Sequence, residues 1–73
     1  MMYFTKYADK KFDILNKHGV FITKEDVKDA VKLPDKTTAK GKYLYIEKSG
    51  IKVIIKKENG LNKIVTFYPV KLS

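Results

Sequence analysis

Two Xaa-Gly dipeptides in the second half of the chain place the strongest constraint on its fold. Ser49-Gly50 and Asn59-Gly60 each stand between runs of alternating apolar and polar residues. Asn-Gly readily adopts the two positive φ angles of a two-residue hairpin turn, and Ser-Gly is a plausible substitute. The flanking segments KYLYIEK, IKVIIKK and KIVTFY are therefore predicted to form three consecutive antiparallel strands.

The first of two predicted helices lies between Thr5 and about His18. Thr5 is a good N-cap residue, and Gly19 can adopt the left-handed conformation that commonly ends a helix. At about 100° per residue, one stripe of this helix is apolar. Its members are Phe4, Ala8, Phe12 and Leu15. Lys11 falls within the same stripe, so its ammonium must either reach solvent along the apolar surface or meet a partner.

The second helix is predicted to begin after Thr23. Asp26 three residues later nearly completes a capping box, and Leu33-Pro34 ends the helix because the residue before proline disfavours helical geometry. The polar segment Asp35–Lys42 is then predicted to be a mobile loop. The sequence thus predicts one α+β domain spanning residues 1–73, in which two N-terminal helices pack on a three-stranded antiparallel meander (α-α-β-β-β).

The charge of the chain favours a polyanionic partner. Among 73 residues, 16 are Lys or Arg and 8 are Asp or Glu, which gives a net charge of +8 at pH 7. This excess promotes nucleic-acid binding through counterion release, although lysines also serve solubility. All 16 basic residues are lysine, and the sequence contains no arginine. Arginine is the side chain that binds a phosphate or a guanine edge with two parallel hydrogen bonds. Contact with a nucleic-acid backbone is therefore expected more than reading of base sequence.

Several classes of protein are disfavoured by what the sequence lacks. There is no cysteine and only one histidine, so a disulfide framework or a thiolate zinc site is excluded and a histidine metal site is not expected. No phosphate loop, dinucleotide fingerprint or zinc-protease motif is present. No apolar run approaches the roughly 20 residues of a membrane span, and the N-terminus lacks a signal-peptide core. We expect a cytoplasmic protein with no cofactor, no metal and no membrane contact.

Side-chain alternation counted from the two turns assigns residues to the two faces of the meander. The face expected to contact the helices carries Leu44, Ile46, Ile51, Val53, Ile55, Ile64, Thr66 and Tyr68. The opposite face carries Tyr43, Tyr45, Glu47, Lys52, Ile54, Lys56, Lys63, Val65 and Phe67. A one-residue bulge would exchange these assignments.

The second of these faces mixes aromatic and lysine side chains, and three explanations fit it. Aromatic rings can stack on bases while lysines follow phosphates, which is the usual arrangement for single-stranded nucleic acid. The predicted RNA-binding residues are Tyr43, Tyr45, Lys52, Lys56, Lys63 and Phe67. An exposed apolar patch can equally form a homodimer or protein-partner interface. A loop or the N-terminal segment MMYF could instead cover it.

Three segments of the chain resemble a family of small domains related to BrnT-type toxins and, more distantly, to RelE-like ribonuclease toxins. They are FTKYADKKF, TKEDVKDAV with the following LP, and IVTFYPV. The matching residues are Phe4, Thr5, Ala8, Ile22, Thr23, Glu25, Asp26, Val27, Thr66, Phe67 and Tyr68. Tyr7 stands where the family prefers His, and Lys11 where it prefers Arg. The resemblance implies a helix-helix-sheet fold whose sheet handles RNA, metal-independent cleavage of messenger RNA, and an antitoxin partner.

Cleavage of that kind needs charge stabilisation at phosphorus and proton transfer. The residues expected to supply these are Lys11, Lys52 and Tyr68, although alternation assigns Tyr68 to the face against the helices. His18 is a further catalytic candidate because histidine titrates near neutral pH, but a histidine in the last turn of a helix also simply stabilises the helix dipole. The leading hypothesis is a small RNA-binding domain that could be a toxin-like ribonuclease. The alternative is a non-enzymatic protein-interaction or homodimerisation domain.

Overall fold

The computed structural model describes residues 2–70, which form a five-stranded mixed sheet with two helices on one face. The elements are β1 (Met2–Phe4), α1 (Lys6–Lys17), α2 (Lys24–Lys32), β2 (Lys36–Lys40), β3 (Tyr43–Lys48), β4 (Ile51–Glu58) and β5 (Leu61–Pro69). The strand order is β1-β5-β4-β3-β2, with β1 parallel to β5 and all other pairs antiparallel. Within the described residues, no helix is long and apolar enough to cross a membrane.

Both predicted helix starts are confirmed by hydrogen bonds of the N-cap side chains. The Ala8 N–H donates to Thr5 Oγ1 at 3.2 Å, and α1 follows directly. Before α2, the Asp26 N–H donates to Thr23 Oγ1 at 3.1 Å while the Thr23 N–H donates to Asp26 Oδ2 at 2.9 Å. Asp26 therefore completes the capping box that the sequence indicated. Each N-cap is typically worth about 1 kcal/mol because it satisfies an otherwise unpaired N–H.

The two predicted hairpin turns are also confirmed. Ser49 and Gly50 have φ angles of 50° and 83°, and Asn59 and Gly60 have φ angles of 51° and 77°. Positive φ at both central residues is the geometry of a type I′ turn, whose twist matches that of the flanking strands. The first turn produces the register expected from it, from Tyr43↔Lys56 to Lys48↔Ile51.

The prediction of a three-stranded antiparallel meander is wrong, because the sheet has a further strand at each edge. β2 forms within the segment Asp35–Lys42 that was predicted to be a loop. All five of its residues are exposed, so no apolar alternation marked it. β1 precedes the helices and pairs with β5 in parallel from Met2↔Asn62 to Phe4↔Ile64. The fold therefore also departs from the helix-helix-sheet order that the resemblance implied.

A bulge in β5 corrects the assignment of residues to the two faces. Ile54 pairs with Thr66 but Ile55 pairs with Ile64, so Val65 is an extra residue in β5. One extra residue shifts the alternation beyond it by one position. Phe67 consequently faces the helices and is fully buried, while Thr66 and Tyr68 are turned to the other side. The predictions that Phe67 lies on the nucleic-acid-binding face, and that Thr66 and Tyr68 lie against the helices, are wrong.

The hydrophobic core lies between the helices and one face of the sheet, since α1 packs on β5 and α2 packs on β3 and β4. Its buried residues are Ala8, Val27, Ala30, Ile46, Val53, Ile55, Ile64 and Phe67. The Phe67 ring lies 4.4 Å from the Phe12 ring, centroid to centroid, and Phe12 lies 5.7 Å from Phe4. These aromatic contacts attach α1 to the sheet. Neither helix packs on the opposite surface, which we call the open face.

Candidate nucleic-acid interface

Cross-strand pairing arranges the open face in three rows that run across the strands. The first row is Lys36, Glu47, Lys52 and Tyr68. The second, which we call the middle row, is Thr38, Tyr45, Ile54 and Thr66. The third is Lys40, Tyr43, Lys56, Lys63 and Tyr3. The uncharged middle row therefore lies between two rows that carry lysines.

The Tyr45 ring on the open face lies close to two lysine ammoniums. The ammonium of Lys52 lies 5.8 Å from the Tyr45 ring centroid, and that of Lys40 lies 5.9 Å from it. A groove of about 310 Å³ surrounds these side chains. It is lined by Lys36, Thr38, Lys40, Tyr45, Glu47 and Lys52. Tyr45 and Lys52 thus lie together on the side of the sheet away from the helices, as side-chain alternation predicted.

Two glutamates partly neutralise the open face. Glu47 Oε1 lies 3.6 Å from Lys52 Nζ, and Glu58 Oε2 lies 3.6 Å from Lys56 Nζ and 3.5 Å from Lys63 Nζ. The Lys63 ammonium, and after it that of Lys56, holds the pKa of the Glu58 carboxyl below its usual 4.5. The remaining lysines of the two outer rows lie on β2. Positive charge is therefore least compensated at the β2 edge.

A contact between α1 and β5 extends the cationic surface beyond the sheet. Lys11 Nζ donates a hydrogen bond to Thr66 Oγ1 at 3.0 Å. The same ammonium lies 5.5 Å from the Tyr68 ring centroid and 6.0 Å from that of Tyr7. Because the pairing of β1 with β5 ends at Ile64, β1 does not lie between α1 and the segment of β5 that contains Thr66 and Tyr68. Of the two possibilities that the sequence left open for Lys11, reaching solvent or meeting a partner, the structure shows a partner.

Of the four residues predicted to be catalytic, Lys11 and Tyr68 lie close together, whereas the Lys52 ammonium is directed toward Glu47 and Tyr45 on β3. Tyr68 pairs with Lys52 across β4 and β5 and lies near the Lys11 ammonium. His18, the C-cap residue of α1, is exposed and follows Lys11 by two helical turns, about 10 Å along the axis. It is thus separated from the other three. Between residues 2 and 70, no three His, Cys, Asp or Glu side chains are placed to hold a metal ion.

Five of the six predicted RNA-binding residues share the open face, and Phe67 does not. The five are Tyr43, Tyr45, Lys52, Lys56 and Lys63. Sequence reasoning missed the residues that β1 and β2 contribute. β2 has no alternation of apolar and polar residues, and only the β-branched Thr37 and Thr38 favoured a strand there. Tyr3 carried no such signal, because a three-residue strand is too short to show a period.

Of the N-terminal segment MMYF, residues 2–4 do not cover the open face, and Met1 lies outside the described residues. Met2–Phe4 form β1 and lie beside β5 as an edge strand of the sheet. Tyr3 adds to the open face, where the Lys63 ammonium lies 6.0 Å from its ring centroid. Cover by residues 2–4 is therefore excluded as the reason for the aromatic side chains there. Binding of nucleic acid, binding of a protein partner and cover by a loop stay as the alternatives.

Comparison of the chain with protein-family models, with curated proteins and with solved structures found no match. The resemblance to BrnT-type and RelE-like toxins stays a prediction from short motifs. The function is accordingly argued from the geometry of the open face.

Proposed function

We propose that the open face binds single-stranded RNA through stacking on tyrosine and ionic contact with phosphates. The observation that carries the proposal is the uncharged middle row, with Tyr45 within it, between two rows that bear lysines. Single-stranded RNA has a matching arrangement, because its flat bases are uncharged while its phosphate backbone is anionic. A cytoplasmic location is part of the proposal.

The chemistry of the side chains supports backbone contact with little sequence preference. Stacking of a base on an aromatic side chain contributes about 1–3 kcal/mol and tolerates any base. Lysine ammoniums act as point charges toward phosphate and do not impose the geometry of an arginine fork. The Thr38 and Thr66 hydroxyls in the middle row can hydrogen-bond to the 2′-hydroxyl that distinguishes RNA from DNA.

The proposal is tested by titrating the protein into a fluorescein-labelled ten-nucleotide oligouridylate and measuring fluorescence anisotropy over a range of salt concentrations. We expect log K to fall linearly with log salt, with a slope of about −0.7 for each phosphate contacted. Tyr45→Ala should weaken binding about 5- to 150-fold, which corresponds to the loss of one stacked base. Tyr45→Phe keeps the ring and should bind RNA as tightly as the wild-type protein.

Two adjacent lysines of β4 provide a matched control for charge. Lys56 lies on the open face, whereas Lys57 is exposed on the other side of the same strand. Lys56→Gln should reduce both the affinity and the salt slope, and Lys57→Gln should change neither appreciably. Equal losses in the two variants would mean that binding follows net charge and not the open face, and would overturn the proposal.

The competing function is a protein-interaction or homodimerisation domain that uses the same face. A dimer whose mass in analytical ultracentrifugation is independent of concentration, together with no RNA binding at low salt, would favour it. Substitution Tyr45→Ala should then dissociate the dimer. A monomer that binds oligouridylate would favour the RNA proposal instead.

We propose metal-independent RNA cleavage as a second candidate function, which is favoured by the Lys11 ammonium near the Tyr68 ring and by the pairing of Tyr68 with Lys52 across β4 and β5. The Lys11 ammonium can stabilise negative charge developing at phosphorus, as can that of Lys52 once it turns away from Glu47, and the Tyr68 hydroxyl can take part in proton transfer. RNA that stays intact after prolonged incubation with pure protein would contradict this candidate. If cleavage occurs, Tyr68→Phe should abolish it while His18→Ala should not. A toxin of this kind would require an antitoxin that covers the open face.

A further inference from the structure

We infer that the bound single strand runs across the β-strands along the middle row, passes over the free part of the β5 edge, and ends on Lys11 and Tyr7 of α1. This inference rests on the proposed function and adds the path and the length of the ligand. It also gives α1, which otherwise packs against the core, a direct part in binding.

The first argument is that the middle row leads directly to Lys11. Thr66 is the last member of that row, and its Oγ1 accepts the hydrogen bond from Lys11 Nζ at 3.0 Å. The parallel pairing of β1 stops at Phe4↔Ile64, two residues before Thr66. A chain laid along the row therefore meets the Lys11 ammonium at the point where it leaves β5.

The second argument is that Lys11 is a positioned cation. Its ammonium is held by the Thr66 hydroxyl and by the faces of the Tyr7 and Tyr68 rings. Among residues 2–70, no carboxylate lies within 4.0 Å of it, in contrast to Lys52 and the lysines beside Glu58. A lysine whose side chain is already restrained loses less side-chain entropy when it binds a phosphate. Within the described part of the chain, Lys11 also has no carboxylate partner to give up before it binds a phosphate.

The third argument is the exposure of Tyr7, one helical turn before Lys11. Tyr7 is 64% exposed, more than any other tyrosine between residues 2 and 70. The Lys11 ammonium lies 6.0 Å from the ring centroid, and the exposed part of the ring is accessible for a base to stack on. Tyr7 thus places a stacking surface next to a phosphate-binding ammonium, as Tyr45 does beside Lys52 within the sheet.

The path sets the length of the ligand. From β2 to β5 the row crosses three inter-strand spacings of about 4.8 Å each, or about 14 Å, and Lys11 and Tyr7 lie beyond its end. We expect a site of about four to six nucleotides, at the short end of the range for single-stranded nucleic-acid binding domains. A trinucleotide can occupy the row without reaching α1.

The experiment measures the affinity of oligouridylates of three, four, six and ten nucleotides by fluorescence anisotropy at low salt. Lys11→Gln is compared with Lys10→Gln, which removes the same charge from an exposed neighbour on α1. Lys11→Gln should weaken binding of the six- and ten-nucleotide ligands by about fivefold or more and leave the trinucleotide unchanged. Lys11→Arg should restore binding, and Lys10→Gln should have little effect at any length.

Tyr7→Ala supplies a second variant whose exposed side chain can be removed without disturbing the core. It should show the same dependence on ligand length, and Tyr7→Phe should bind normally. If oligouridylates bind but Lys11→Gln matches Lys10→Gln at every length, or weakens the trinucleotide equally, the path is wrong and the proposed function stands. If no oligouridylate binds to the unchanged protein, both are overturned.

Discussion

The carboxylate of Glu58 and the ammonium of Lys63 lie 3.5 Å apart across the second hairpin, at one end of the open face. The same carboxylate lies 3.6 Å from Lys56 Nζ, so it is shared by two lysines of one row. An RNA phosphate placed there would compete with an anion that the protein already supplies. Glu58 is therefore expected to limit the affinity of the open face.

Substitution Glu58→Gln should strengthen RNA binding a few-fold, because it frees Lys56 and Lys63 while leaving them in place. The measurement is anisotropy titration with the ten-nucleotide oligouridylate at several salt concentrations, and the gain should shrink as salt rises. Glu25→Gln is the matched control, since it makes the same change in net charge on α2. A gain of equal size in both variants would show that only net charge matters.

Glu58 should also contribute to the dependence of stability on pH. Its pKa is lowered in the folded protein by Lys63 and then Lys56, so its contribution is fully present above pH 4.5 and is lost as pH falls through the lowered value. Urea unfolding at pH 7 and at pH 3 should show the unchanged protein more stable than Glu58→Gln at pH 7, with the difference reduced at pH 3. The effect should be small because the carboxylate is exposed and screened by salt. A difference independent of pH would contradict it.

Phe67 and Tyr68 are neighbours in β5 that should respond to substitution in opposite ways. Phe67→Leu removes part of a fully buried ring that contacts Phe12, and we expect it to lower the free energy of unfolding by about 1 kcal/mol with unchanged RNA affinity. Tyr68→Leu should weaken RNA binding more than it lowers stability. Urea unfolding and anisotropy titration of both variants provide the comparison. Loss of RNA binding in Phe67→Leu at full stability would contradict the bulge at Val65.

The first hairpin turn can be improved by one substitution. Ser49 has a φ of 50°, a region that costs most residues about 1 kcal/mol and that asparagine tolerates well. Ser49→Asn should raise the free energy of unfolding by about 0.5–1 kcal/mol, measured by urea unfolding. Ser49→Val should lower it, because β-branched side chains are least compatible with positive φ. The hydrogen bond that the backbone N–H of residue 49 donates to the Asp35 carboxylate is available in either variant.

Features that depend on residues close together in the chain could be predicted from the sequence. The caps at Thr5 and Thr23 and the turns at Ser49-Gly50 and Asn59-Gly60 are each made by residues a few positions apart. The register of the first hairpin follows from its turn, so alternation alone was enough to place Tyr45 and Lys52 on one face. These local interactions determined the helices, the central strands and much of the candidate site.

Features that depend on distant partners were decided by the tertiary structure. β1 forms by pairing with the edge of β5. β2 forms by pairing with β3, although all five of its residues are exposed. The extra residue at Val65 turns Phe67 to the helix side of the sheet, where its ring packs against Phe12 of α1. The Lys11–Thr66 contact joins residues 55 positions apart. Alternation and capping are properties of a short segment, whereas edge pairing, bulges and helix-to-sheet contacts form only where the folded chain brings remote residues together.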